Sequence, residues 1–256
     1  MLRTALTVDW DLQLRRMKIA IISDLHANLA ALDVVLDSIE AEGADRIICG
    51  GDLVGYNAEP GEVIAKVREL DIPCVMGNHD AAVVGLTDPD SFNTPARAAV
   101  EWTVGQLDED SLAYLRALPY VMRVESFTLV HGTLHHPEEW GYVFNAYEAE
   151  EHFQHQRDTV CFIGHSHIPG VFIAGDVVTA SRSSRVRIQA GHRYVANVGS
   201  VGQPRDNNPA ASYVLYDMVE NTIHFRRVPY DVRATQQKIL DAGLPSVLAM
   251  RLALGK

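Results

Sequence analysis

Five short apolar runs in this chain each end on polar residues able to bind a metal, and that repetition constrains the fold more than any other feature. The runs are "IAIISDLH", "RIICGGD", "IPCVMGNH", "FTLVH" and "TVCFIGHSH". In order they carry Asp24 and His26, Asp52, Asn78 and His79, His131, and finally His165 and His167. Apolar runs of this length bounded by turn residues read as buried strands. Loops leaving strand ends are where open α/β sheets keep their ligand sites.

The residue types point to two adjacent metal ions. Two divalent ions about 3.5 to 4 Å apart can clamp both the attacking and the departing oxygen of a phosphate ester. Holding two such charges together needs a bridging carboxylate, and Asp52 is the carboxylate of its segment, with Gly50 and Gly51 before it to allow an unusual turn. Asp24 and His26 then belong to one ion. In Asp24-Leu25-His26 and His165-Ser166-His167 the alternate spacing of an extended chain is expected to place both side chains on one side. Imidazoles, carboxylates and one amide suit manganese, iron, zinc, nickel or cobalt better than calcium.

The first half alternates strand and helix, as a parallel or mixed sheet does. Strands are expected over 18–23, 46–49, 72–76 and 127–131. Helices are expected over 28–42, ended by Gly43, and over 60–70, 94–105, 108–118 and 146–156. The first three motifs then share one sheet edge. After His167 the chain turns β-rich, over 171–173, 185–189, 194–197, 212–216 and 222–226, which predicts a second sheet. Residues 232–252 read as two helices split at Gly243 and Pro245.

With 256 residues and 47% hydrophobic content, one domain with one substantial core is expected. Residues 1–16 precede the first core strand and Met17, and read as an extension outside the domain at 17–256. A formal charge of -11 argues against nucleic-acid polymers and anionic membranes as partners. It does not argue against a small phosphoester or nucleotide, because two bound cations would reverse the local field. Cys49, Cys74 and Cys161 lie inside apolar runs without Cys-x-x-Cys spacing, so they read as buried thiols of a reducing cytoplasm. No segment has the length of a membrane span.

In its motifs the chain resembles the calcineurin-like metallophosphoesterases, whose signature elements occur here in order as "SDLH", "GGDLVG", "GNHD", "VHG" and "GHSH". The resemblance implies a four-layer α/β/β/α sandwich of two mixed sheets. It also implies Asp24, His26, Asp52 and His167 on a first ion and Asp52, Asn78, His131 and His165 on a second, with manganese or iron favoured. His79 would be no ligand but would contact the phosphate or protonate the leaving group. The stretches "GDLVGYNAEP" and "NVGSVGQPRD" are similar to the small prokaryotic phosphodiesterase-like branch. The arginine that protein phosphatases carry shortly after the bridging aspartate is missing, since Leu53, Val54, Gly55, Tyr56 and Asn57 follow Asp52.

The expected activity is therefore hydrolysis of phosphodiester or nucleotide-polyphosphate bonds by a metal-bridging hydroxide. The alternatives are a phosphomonoesterase or nucleotidase, and a non-catalytic scaffold on the same fold. Arg205 is the expected phosphate contact, with a salt bridge to Asp206 or another surface carboxylate as its rival role. Tyr56 and Asn57 are candidates for the leaving-group side, against simple loop packing. His135 and His136 follow His131 on a loop, where substrate contact and plain exposure compete. His152 and His155 are expected at the surface, His192 and His224 in core or edge positions. The acidic run at 108–110 is expected to cap a helix.

Overall fold

A computed structural model describes residues 6–7, 17–124 and 126–256. The chain forms strands β1 (Leu6–Thr7), β2 (Lys18–Ile22), β3 (Arg46–Cys49), β4 (Val121–Val124), β5 (Phe127–Val130), β6 (Val160–Ile163), β7 (Gly170–Ala174), β8 (Val178–Ser181), β9 (Arg185–Arg187), β10 (Arg193–Asn197), β11 (Ala211–Asp217) and β12 (Thr222–Val228). Its helices are α1 (Leu29–Ala41), α2 (Pro60–Glu69), α3 (Asn78–Val83), α4 (Thr94–Val104), α5 (Glu109–Ala117), α6 (Ala146–His155), α7 (Val232–Asp241) and α8 (Ser246–Leu254). Two mixed sheets result, one ordered β1-β4-β5-β6-β10-β7-β8 and the other β3-β2-β11-β12-β9.

Strand alternation builds the layers. Ile19 and Ile21 of β2, Phe162 of β6 and Val214 and Tyr216 of β11 point into the space between the sheets. Their neighbours Ala20 and Ile22, with Tyr213 and Leu215, face the other way onto α1 and α2. On the seven-stranded sheet, Cys161 and Ile163 of β6 meet Ala149 and Phe153 of α6. Both faces of each central strand are thus covered, which is why these segments read as unbroken apolar runs. The expected α/β/β/α sandwich is what forms. The three cysteines are buried free thiols, and Asp108 caps α5 by accepting from the Ser111 amide.

Three features differ from the sequence reading. The β-rich second half does not make a sheet of its own: β11 pairs antiparallel with β2, and β10 pairs parallel with β6, so each sheet mixes early and late strands. Residues 72–76 form only a bridge between Cys74 and Cys49, because Pro73 has no amide to donate. The short helix α3 begins inside the Gly-Asn-His motif itself. Of the extension 1–16, Leu6 and Thr7 pair with β4; its other residues lie outside the described ones. Among the described residues no helix is long and apolar enough to cross a membrane.

Candidate metal centre and its cavity

The loops after β2 and β3 are stitched together by backbone hydrogen bonds, from Asp24 N to Gly51 O (2.9 Å), His26 N to Asp52 O (2.9 Å) and Ala27 N to Leu53 O (2.8 Å). Within them the chain is not extended. Asp24, His26 and Asp52 have φ of 55°, 45° and 52°, and His165 and His167 have 64° and 60°. The extended-chain spacing expected for both Asp-x-His and His-x-His is therefore wrong. Each pair sits in a tight left-handed turn, a conformation costing roughly 1 kcal/mol or more per residue and concentrated at functional sites.

These turns bring seven of the candidate residues together. Ligand atoms of Asp24, His26, Asp52 and His167 lie within 4.8 Å of one another, as do those of Asp52, His131 and His165. Asp52 belongs to both groups. Asn78 joins the second, its Oδ1 3.2 Å from His131 Nε2. Asp52 Oδ2 stands 3.5 Å from His26 Nε2 and 3.3 Å from His131 Nε2.

The donor chemistry fits cations. His26, His131 and His167 each donate Nδ1–H to a backbone carbonyl, of Val54 (2.9 Å), Gly50 (2.8 Å) and Gln203 (2.6 Å). That turns each Nε2 toward the cluster, where on His26 and His167 it is a lone pair, the arrangement usual for metal-bound imidazole. On two of these rings the lone pairs converge, His26 Nε2 lying 3.1 Å from His167 Nε2, and His131 Nε2 is 3.2 Å from His165 Nδ1. Facing lone pairs repel unless a cation lies between them. Burial pushes His26, His165 and His167 below the usual imidazole range, so they are neutral, as ligands must be. Burial, the largest single influence, acts the same way on His131, but the Asp52 and Asp24 carboxylates and the Gly50 carbonyl together outweigh it and raise that ring to about 9. A cation at Nε2 would replace that proton.

Asp80, given no role by the sequence reading, holds the Asp52 loop in place. Its Oδ2 accepts from the amides of Asp52 (2.9 Å) and Gly77 (3.0 Å), and its Oδ1 from those of Leu53 (2.9 Å) and Val54 (3.3 Å). The available signal was its place directly after Gly-Asn-His. Gly77 has no alternative residue, since a Cβ there would overlap the Asp52 carboxylate. On the other sheet, Ser200 Oγ donates to Asp24 O (2.8 Å), and Asn197 Nδ2 donates to Ser166 Oγ (2.9 Å).

Above this floor opens a cavity of about 280 Å³ lined by Asp52, Asn78, His79, His165, His167 and Arg205, with Tyr56, Phe92, Trp140 and Tyr142 as aromatic walls. His79 packs between Tyr56 and Phe92, at ring separations of 4.4 and 4.8 Å. Burial lowers it to about 4, so it is a neutral imidazole at pH 7. Arg205 lies 5.4 Å from the Tyr56 ring centroid. Its Nε and Nη2 donate to Gln203 Oε1 at 3.2 and 2.9 Å, while Asp206 pairs with Arg227 instead. The rival salt bridge is therefore not formed by Arg205.

Other candidates fall away from the cavity. Asn57 sits behind it, its amide donating to His26 O at 2.6 Å, so loop packing is its role. His135 pairs with Glu151 at 3.0 Å and stacks on His155 at 4.6 Å, and His136 neighbours Glu138. His152 is not at the surface but fully buried, because it shares with Ala149 and Phe153 the face of α6 turned to the seven-stranded sheet. His224 lies on β12 beside Thr222. Phe92, Trp140 and Tyr142 were not foreseen, since nothing local marks a loop aromatic as a cavity wall.

Such a donor set, at the ends of strands from two facing sheets, defines a metal-dependent α/β/β/α protein. The sequence model of the calcineurin-like phosphoesterase superfamily domain matches residues 17–221, and the chain belongs to that superfamily. It is 37% identical over 243 residues to an uncharacterized protein of Methanocaldococcus jannaschii, covering 93% of this chain and 98% of that one. The crystal structure of a metallophosphoesterase from Sphaerobacter thermophilus is similar at 39% identity and a TM-score of 0.82, over 94% of this chain and all of that one. A hypothetical protein of Pyrococcus horikoshii shares the fold at 20% identity and a TM-score of 0.76, over 93% and 98% of the two chains.

Proposed function

We propose that this metallophosphoesterase hydrolyses phosphodiester or nucleotide-polyphosphate bonds of small substrates at a two-ion centre. The observation carrying this reading is that Asp52 is common to both ligand groups and opens, with His79 and Arg205, onto one cavity. Asp24, His26, Asp52 and His167 would hold one ion, and Asp52, Asn78, His131 and His165 the other. Manganese or iron suits these donors best. Two ions held there would supply an activated water and charge neutralisation at phosphorus.

The chain's own groups do the rest. Arg205, braced by Gln203 and Tyr56, has its Nη1 left for a phosphate oxygen. His79, neutral at pH 7, donates an N–H to the departing oxygen, which needs no protonated imidazole. Phe92, Trp140 and Tyr142 limit the water around the reacting group. The aromatic walls favour a phosphate carrying a second organic or nucleotide group over a monoester, and the chain lacks an arginine just after Asp52.

The test is hydrolysis by metal-stripped protein reloaded with manganese, comparing bis-p-nitrophenyl phosphate, p-nitrophenyl phosphate and diadenosine tetraphosphate. Metal-dependent cleavage of the diester or the dinucleotide is expected. Preference for p-nitrophenyl phosphate would make it a monoesterase, and no cleavage with two ions bound would leave a binding protein on this fold.

A further inference from the structure

Beside the metal-ligand cavity lies a second one, also of about 280 Å³, that none of the candidate ligands lines. Its walls include Val143, Phe144, Val171, Phe172 and Ala180, with Ser166 and Asn197 among the polar lining and the exposed Arg182 as its cation. A single layer of chain separates the two spaces. Tyr142 lines the first and Phe144 the second; His165 and His167 line the first, and Ser166 between them lines the second. Residues two apart along a chain stand within about 7 Å of each other.

The dividing wall is aromatic. Tyr142 stacks on the His165 imidazole at 3.8 Å and 16°, and Phe144 stacks on Tyr142 at 4.8 Å and 16°. This ladder runs from a ligand ring to the surface, where Phe144 is 53% exposed. An apolar space with an aromatic edge suits a planar ring, which gains from stacking whatever its identity. Ser166 adds a polar handle. Its Oγ accepts from Asn197 Nδ2 and from the Ile168 amide, while its own proton is spent on no acceptor among the described residues. A ligand with a ring nitrogen or carbonyl oxygen could take that proton. A phosphate would find one exposed arginine here, against a full ligand set next door.

We propose that this second cavity is a nucleobase subsite: a nucleotide whose phosphoryl group sits over Asp52 lays its base past Tyr142 into the space between Phe144 and β8. Its use in turnover rests on the phosphoesterase reading above, but its affinity for a base does not. Aryl groups joined to phosphorus through a single ester oxygen, as in bis-p-nitrophenyl phosphate, are too short to pass the Tyr142 wall, because no ribose separates ring from phosphate.

Two variants address the cavity without touching a ligand. Ala180→Trp, on the exposed strand β8, fills it, and Phe144→Ala removes its aromatic edge. Calorimetric titration of metal-free protein with adenosine, and with ribose 5-phosphate as a ring-free control, reads the subsite directly. Saturable adenosine binding with a Kd of about 1 mM or tighter is expected, undisturbed by ribose 5-phosphate and weakened at least about tenfold by Ala180→Trp. In manganese-loaded protein both variants should raise KM for diadenosine tetraphosphate about tenfold and leave bis-p-nitrophenyl phosphate turnover within about twofold. Failure of the parent to bind adenosine, binding by both variants as tight as the parent's, or an equal loss on both substrates would overturn the proposal. Adenosine binding that Ala180→Trp removes, in a protein that cleaves no phosphoester, would keep the subsite and sink the phosphoesterase reading.

Discussion

Asp24, Asp52, His131 and His167 on the cavity floor are each at most 2% exposed, and backbone groups hold most of their remaining polar atoms. At the rim, Tyr142 is 43% exposed, and Trp140 and Arg205 are only partly covered. The rim groups are held by side chains: Tyr142 by the His165 ring, Trp140 by a hydrogen bond to Thr87 Oγ1 (3.0 Å), Arg205 by Gln203. Backbone partners fix an atom to fractions of an ångström, which an ion pair of ligand groups demands. Side-chain partners allow adjustment, which suits a surface that selects among substrates. The floor is therefore the rigid part of the cavity and the rim its adjustable part.

The comparison breaks most sharply at Asp52. Asp52→Ala removes the residue shared by both ligand groups, so bound metal measured by mass spectrometry should fall for both ions together. Turnover should drop by at least about 10³-fold, the equivalent of several kcal/mol of lost charge stabilisation. Retention of one full equivalent of metal would show two independent sites rather than one shared floor. His79→Ala tests the boundary between floor and rim. Metal content should be unchanged while kcat falls by about 10² to 10³, the usual size of a lost preorganised donor.

Behind the rim, His152 offers a pH test. Burial pushes its imidazole down to about 3, whereas the unfolded chain binds a proton near 6.5. Its contribution to stability is thus present above 6.5 and lost as pH falls toward 3. Between pH 6.5 and 4 that amounts to on the order of 3 kcal/mol. His152→Gln keeps an acceptor for the Leu134 amide, which now donates to Nδ1, and should flatten the acid slope of a urea-unfolding series; an unchanged slope would place the acid sensitivity elsewhere. The smallest effect is expected at Arg205. Arg205→Ala should raise KM about tenfold with kcat nearly constant, the signature of binding shared by ground and transition states. A kcat loss as large as that of His79→Ala would make Arg205 part of the floor.

Much of the floor was legible because its signals are local. A carboxylate or imidazole at the end of an apolar run is a conspicuous placement, and the same residues converge when the strands align. Asp80 escaped because its four amide partners come from Gly77 and the Asp52 loop, a closure visible only when β3 and α3 are brought together. His152 was misplaced because the stretch around it is rich in Glu and His, and polar neighbours conceal which helix face is inward. The rim was illegible for a further reason: Phe92, Trp140 and Tyr142 come from irregular loops, whose aromatic residues carry no periodicity to read.

Sequence alone determined the identity and order of the metal-binding residues, the strand runs that present them and the superfamily they define, since each depends on residue type and spacing within a few positions. The tertiary structure decided which strands share a sheet, placing β11 beside β2 and β10 beside β6. It also decided that Asp24, His26, Asp52, His165 and His167 sit in left-handed turns and that two cavities lie on either side of Tyr142 and Phe144. Those outcomes depend on contacts between segments distant in sequence, such as β10 with β6 and, farther still, β11 with β2, which pair for the apolar surface they bury together.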